Sequence, residues 1–191
     1  MINIRTLSPD DWPLWRELRL AALAEAPYAF GSRLADWQGD GDREERWRAR
    51  LALPGSFNLI AERGAKPVGM VSGIPGPNAG TVELISLWVA ANARGRGVGE
   101  CLVQAVEQWA TGMGTERLHL AVMPGNEHAF ALYRRLGLRD TGPHGDPLPD
   151  GRREHVMVKH LPTDRNTHRA DVRRAAAEQA AIWHELLERL K

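Results

Sequence analysis

The sequence holds a single cysteine, Cys101, in 191 residues, which excludes an intrachain disulfide framework and fits a reducing compartment. It has no run approaching the roughly 18 apolar residues that a membrane span needs. Met1 to Trp12 also lacks the apolar stretch of a secretory signal, so a cytoplasmic protein without a membrane partner is expected. Net charge is scarce: 25 Lys plus Arg against 24 Asp plus Glu leave +1, and no general attraction to nucleic acid or anionic lipid follows. Seven histidines are present, but neither His155 and His160 nor the others fall in an HExxH pattern, paired cysteines are missing, and no metal is expected. The length suits one domain with an appendage, without internal repeats.

What is present is a concentrated glycine motif, Arg94-Gly95-Arg96-Gly97-Val98-Gly99, between a strand-like apolar run, Leu84 to Val89, and a helix-like run, Val98 to Ala110. Glycines here let the backbone turn tightly and approach a ligand, and the following helix start offers unpaired N–H groups and positive dipole. Arg94 and Arg96 add charge for a polyanion. A P-loop would need Gly-Lys and then Ser or Thr, but Gly99 is followed by Glu100 and Cys101. The dinucleotide fingerprint would need Gly or Ala where Glu100 stands, and a repeated parallel strand and helix pattern that the flanks lack. The pattern that fits is Arg-x-x-Gly-x-Gly, a diphosphate cradle.

A second motif follows: Asn126-x-x-Ala129-x-x-Leu132-Tyr133-x-x-x-Gly137-Leu138. Ala129, Leu132, Tyr133 and Leu136 share a helical face, and Gly137 stands where a left-handed C-cap belongs. Asn126 can cap this helix or meet a ligand amide; Tyr133 is either a packing aromatic or a group facing the ligand. In this order and spacing the two motifs resemble the GNAT superfamily of acyl-CoA-dependent N-acetyltransferases, over residues 2–161. The resemblance implies that Arg94, Gly95, Arg96, Gly97, Val98 and Gly99 hold the pyrophosphate of acetyl-CoA, that Asn126 meets the pantetheine, and that Tyr133 protonates the departing thiolate. It further implies two splayed strands with the pantetheine between them, where Leu87 and Val89 offer main-chain groups. Leu138 stands where the family commonly has Phe, a change of packing only.

Along the chain, Ile2 and Ile4 mark an opening strand, and Ser8-Pro9-Asp10-Asp11 starts a helix with Leu14, Leu18 and Ala22 on one stripe, which Pro27 ends. Tyr28 to Gly41 reads as a loop. A charged segment, Asp42 to Leu51, carries Trp47 and Leu51 on one face. Phe57 to Ala61 and Val68 to Ile74 flank a hairpin turn at Arg63-Gly64-Ala65-Lys66, and Val82 to Val89 completes an antiparallel meander. A helix with Val98, Leu102, Val106 and Trp109 on one face stops at Gly112 and Gly114 before the strand of Leu118, Leu120 and Val122. Leu138 to Thr141, a Gly- and Pro-rich loop over Gly142 to Gly151, and a strand over Glu154 to Leu161 close the domain, 1–161. The expected fold is α/β (α+β): a mixed, mostly antiparallel central sheet with splayed strands, flanked by helices. Residues 162–191 form a linker and a C-terminal amphipathic helix with Val172, Ala176, Ala180, Trp183, Leu187 and Leu190 on its stripe, packing on its own subunit or in a homodimer.

Transfer of an acetyl group to an amine needs a base, because an ammonium has no free lone pair. Glu83, on the strand leading to the cradle, can take that proton directly or through water, or is a solvated strand carboxylate. The histone-directed branch of the family carries a glutamate at this position. His119 faces the cleft or is simply hydrogen bonded. Cys101 lacks an activating neighbour, and Ser86 lacks a nucleophile-elbow setting. Tyr28, Phe30 and Glu83 are placed at the acceptor, with the loops Tyr28 to Gly41 and Gly142 to Gly151 at its mouth. Asp36, Asp40, Asp146 and Asp150 on these loops either favour a cationic amine or are solvated. The expected activity is direct acetyl transfer from acetyl-CoA to a primary amine of a small molecule, or of a protein or peptide; the rival is a non-catalytic acyl-CoA-binding or interaction module.

Overall fold

The computed structural model describes residues 1–162, so the C-terminal helix expected beyond Pro162 lies outside the described residues. Strand β1, Ile2–Thr6, leads to Ser8, whose N–H and Oγ both donate to Asp11 Oδ2 at 2.8 and 3.0 Å. Asp11 N–H donates back to the Ser8 carbonyl at 3.0 Å, and the closed turn leads into α1, Trp12–Glu25. The helix stops at Ala26, before Pro27, because a proline restricts the residue that precedes it. The stretch expected as loop, Tyr28 to Gly41, instead carries three short 3-10 turns, the first beginning at Pro27, and Trp37 lies against Trp47 with ring centroids 4.5 Å apart. Trp47 belongs to α2, Glu44–Leu51.

Strands β2, Phe57–Arg63, and β3, Lys66–Pro75, join at Gly64 and Ala65, whose φ values of 57° and 60° make the left-handed pair of a type I′ turn. Both strands run farther into the hairpin than their apolar stretches, because Glu62 pairs with Pro67 and Arg63 with Lys66. There follow β4, Thr81–Val89; α3, Val98–Gly112; β5, Arg117–Val122; α4, Glu127–Arg135; β6, Arg139–Asp140; and β7, His155–His160.

The strands make one sheet in the order β1-β2-β3-β4-β5-β7-β6. The expected meander of β2, β3 and β4 is antiparallel throughout. Among the described residues only β4 and β5 pair in parallel, over Thr81 with Arg117, Val82 with Leu118 and Glu83 with His119. Beyond that rung the strands part. On its other edge β4 is irregular: Met70 faces Trp88 but Ser72 faces Ile85, so Ser86 and Leu87 bulge opposite Val71, with Ser86 at φ 59°. A bulge sharpens the local bend of its strand, and this one lies just past Glu83, the last β4 residue paired with β5.

Each sheet face has its own core. Val98, Leu102, Val103 and Val106 of α3, with Phe130 and Tyr133 of α4, pack on one face with Leu84, Leu118 and Leu120. Trp15, Leu18, Ala22 and Leu23 of α1, with Trp37 and Trp47, pack on the other with Ile60, Met70 and Trp88. On α4 the buried side chains are Phe130 and Tyr133, followed by Leu136, while Ala129 and Leu132 are only partly buried; Phe130 widens the stripe read from the sequence. Among the described residues no helix is long and apolar enough to cross a membrane.

Candidate active site

The glycine motif links β4 to α3 as expected, and its three glycines have different causes. Gly95 and Gly97 are left-handed, with φ 69° and 81°, and a Cβ on either would meet nothing within 4 Å. They leave an open approach to the backbone. Gly97 is the N-cap of α3, and its carbonyl accepts from Cys101 N–H at 3.0 Å, so the N–H groups of the intervening first turn point outward for an anion. Gly99 instead serves packing: a Cβ there would sit 3.2 Å from Leu132 Cδ2, so its absence lets α3 and α4 approach. Val98 is buried in the core and has only its main chain to offer. Arg96 is exposed beside the cradle. Arg94 turns back, donating from Nε to the Val89 carbonyl at 2.9 Å and pairing with Glu25. Glu25 also accepts from Trp88 Nε1 at 3.1 Å, so one carboxylate of α1 holds both the end of β4 and the first residue of the motif.

In the bulge of β4, Ser86 and Leu87 have no Cα partner on β3, and the parallel pairing with β5 ends at Glu83. The Leu87 main chain therefore stands at the mouth of the split, while the Val89 carbonyl is taken by Arg94. Across the split, Asn126 Oδ1 accepts from Ala129 N–H at 3.2 Å, capping α4. The helix ends at Gly137, φ 85°, with Leu138 N–H on the Tyr133 carbonyl and Gly137 N–H on that of Arg134, both at 3.0 Å, the double closure that a left-handed cap provides. Tyr133 is 6% exposed, and burial raises its phenol well above the usual value. It stays protonated at any working pH.

Glu83 and His119 meet at the last rung of the parallel pair, Oε2 and Nε2 3.8 Å apart, with side chains 29% and 16% exposed. Burial, opposed by a backbone hydrogen bond with Val82 and assisted by the charge of Arg117, holds His119 below its usual 6.5. The imidazole is thus neutral at neutral pH, close to Glu83 but beyond direct hydrogen-bond reach of it. The pairing is invisible in the sequence because it joins positions on two strands separated by α3.

Of the residues expected at the acceptor, Tyr28 is 68% exposed, and Phe30 is half-buried beneath the guanidinium of Arg19, whose Cζ lies 4.8 Å from the ring centroid. Two of the loop carboxylates already have partners: Asp36 pairs with Arg33 at 3.0 Å and Asp150 with Arg152 at 2.7 Å. Cys101 is a free thiol on α3. Among the described residues no group of three or more His, Cys, Asp or Glu side chains is placed to hold a metal ion.

The family model for the Acetyltransferase (GNAT) family matches residues 15–138, which takes in the split strands, the cradle and α4. The chain is 32% identical over 109 residues to the probable N-acetyltransferase family 8 member 5 of Mus musculus, covering 55% of this chain and 48% of that one; the chain thus spans about half the length of that relative. A GCN5-related N-acetyltransferase from Kribbella flavida superposes with a TM-score of 0.67 at 26% identity, over 84% of this chain and 98% of its own. A phosphinothricin acetyltransferase from Sinorhizobium meliloti, solved in complex with AcCoA, shares the fold with a TM-score of 0.66 at 16% identity, over 87% of this chain and 95% of its own. A split parallel pair, a glycine cradle opening onto it and a family match across both motifs lead to one conclusion: the chain belongs to the GNAT acetyltransferase family.

Proposed function

We propose that this chain transfers an acetyl group from acetyl-CoA to a primary amine, with a small molecule favoured over a protein as acceptor, by direct attack while both substrates are bound. The observation that carries this reading is the position of Glu83 and His119 at the closed end of the same split whose open end faces the cradle. A binding module has no need of a carboxylate and a neutral imidazole there. Gly95, Gly97 and the first turn of α3 bind the diphosphate, with Arg96 adding charge; their open backbone fits such a group. Asn126, the main chain of Leu87 and that of Val89 beside it direct the acyl arm into the split. Glu83, with His119 behind it, takes the proton from the amine; the N–H groups of the bulge polarise the thioester carbonyl; and Tyr133 gives its proton to the leaving sulfur.

Two measurements test this together. Calorimetry should show acetyl-CoA binding, and thiol release over a panel of amines should show turnover. Binding without release for any amine would leave an acyl-CoA-binding module; neither binding nor release would remove the cradle assignment.

A further inference from the structure

Two arginines lie buried on the sheet face that carries Glu83, and no carboxylate of the described residues pairs with either. Arg19, on α1, is 8% exposed, and Arg50, on α2, is 6% exposed. Arg50 is held by neutral groups: Nη1 donates to Asn58 Oδ1 at 3.2 Å and Nη2 to Ser72 Oγ at 3.1 Å, while Ser72 Oγ donates to Asn58 Oδ1 at 2.7 Å. Arg19 has less. Its guanidinium lies over Phe30, and its Nη1 is buried with no hydrogen-bond partner at all. Burial pushes Arg19 down to about 10 and Arg50, with the added charge of Arg19, down to about 9, so at neutral pH both remain cations.

A buried guanidinium without a counter-ion is costly, and one with an idle N–H more so; such groups persist where something else completes them. The location narrows what that is. Ser72 faces Ile85 across the β3 and β4 pairing, and Ile74 faces Glu83, so the Arg50 partner Ser72 is the diagonal neighbour of Glu83 on the same face, about 7–8 Å away by sheet geometry. Phe30, on the other side of Arg19, belongs to the loop at the acceptor mouth. Arg50, through Ser72, thus lies on the face that carries Glu83, and Arg19 is near enough to Arg50 to act on its charge.

We infer that the acceptor carries a carboxylate close to its amine, and that Arg19, backed by Arg50 and its Asn58 and Ser72 partners, binds it. This rests on the transferase reading for the amine, but the anion site is a property of Arg19 in its own right. The chemistry suits an amino acid: its carboxylate would complete the idle, buried Nη1 of Arg19 in the manner arginine favours, with the amine left toward Glu83. Neighbouring positive charge also disfavours the ammonium form of that amine, which helps the base.

The test uses L-amino acids and their amides, which differ only in the carboxylate. Binding is measured by calorimetry on the full chain saturated with CoA, and acetyl transfer is measured over the same panel with acetyl-CoA. At least one amino acid should bind wild type 10-fold or more tightly than its amide, and Arg19→Met should abolish that difference while leaving CoA affinity unchanged. Arg19→Met should also raise the melting temperature, because it removes an uncompensated buried charge; a purely structural Arg19 would lower it. Should Arg19→Met fail to fold, Arg19→Lys keeps the charge without the planar fork, and severalfold weaker amino-acid binding is expected. Amides binding as well as amino acids across the panel, or a carboxylate preference that survives in the folded variant, would overturn the inference. The two readings fail separately: carboxylate-selective binding without acetyl transfer removes the transferase assignment and leaves the anion site, whereas transfer to amines irrespective of a carboxylate removes the anion site alone.

Discussion

Glu83 and His119 close the only parallel rung sequence among the described strands, their side chains 3.8 Å apart just where β4 and β5 separate. Because burial holds the imidazole below 6.5, His119 is a neutral base at pH 7, and in the proposed mechanism protonating it costs the active form. Turnover read as kcat, which excludes the free acceptor's own ionisation, should fall as pH drops through a midpoint below 6.5. Glu83→Gln should lower kcat by about 10²-fold or more, and His119→Asn should remove the acidic limb, with acetyl-CoA affinity unchanged in both. An unaltered limb in His119→Asn would return that side chain to a packing role.

The same depression has a consequence for stability. The unfolded chain takes up the His119 proton near 6.5 and the folded chain only below that, so between the two values the unfolded state binds more protons. The His119 contribution is fully present above 6.5 and is lost as pH falls through the window beneath it. Denaturant titrations in that window should show wild type losing more stability than His119→Asn as the pH falls; equal slopes would mean the imidazole is not desolvated.

The parts of the site visible in the sequence are those made by neighbours along the chain. Gly97 and Gly137 announce left-handed turns, Asn126 announces a cap, and each works through a few adjacent residues, so spacing alone places them. Glu83 was legible as a residue but not as a pair, since His119 reaches it only through β-strand register. The bulge at Ser86 has no glycine or proline to mark it: Ile85-Ser86-Leu87-Trp88 reads as ordinary strand. Loop charge is less informative, because Asp36 and Asp150 are occupied by Arg33 and Arg152 a few residues away. The buried cations of that face, Arg19 and Arg50, sit on helices, where an arginine usually reads as solvated surface.

Gly97 allows the cradle to be tested without disturbing the core. Its φ of 81° makes any side chain strained, at about 1–2 kcal/mol, yet no atom lies within 4 Å of the new Cβ. Gly97→Ala should therefore fold, melt somewhat lower, and lose at least 10-fold in acetyl-CoA affinity by calorimetry, because the methyl group occupies the approach to the backbone. Wild-type affinity in that variant would show that the diphosphate does not come to Gly97.

Tyr133 should act after the amine has attacked. Its raised phenol is always in the donor form, and Tyr133→Phe keeps the ring that packs against the core. Acetyl-CoA affinity and melting temperature should hold close to wild type, while kcat falls by about 10 to 10³-fold, a range set by what one general acid contributes. Equal turnover, with chemistry shown to limit the rate, would assign the proton to water.

Arg94 heads the cradle motif but spends its charge on Glu25 and its Nε proton on the Val89 carbonyl. Both partners are substantially exposed, with side chains 50% and 35% accessible, so the pair contributes little to stability, about 1 kcal/mol at most. Its effect falls on the field at the cradle: the Glu25 carboxylate offsets a positive charge next to the place proposed for the diphosphate. Glu25→Gln keeps an oxygen for Trp88 Nε1 and removes only the negative charge. It should tighten acetyl-CoA binding severalfold at low ionic strength, with the gain shrinking as salt screens Arg94. If binding weakens instead, Glu25 matters as the tether that aims Arg94 and the end of β4, and the charge it cancels is the lesser effect.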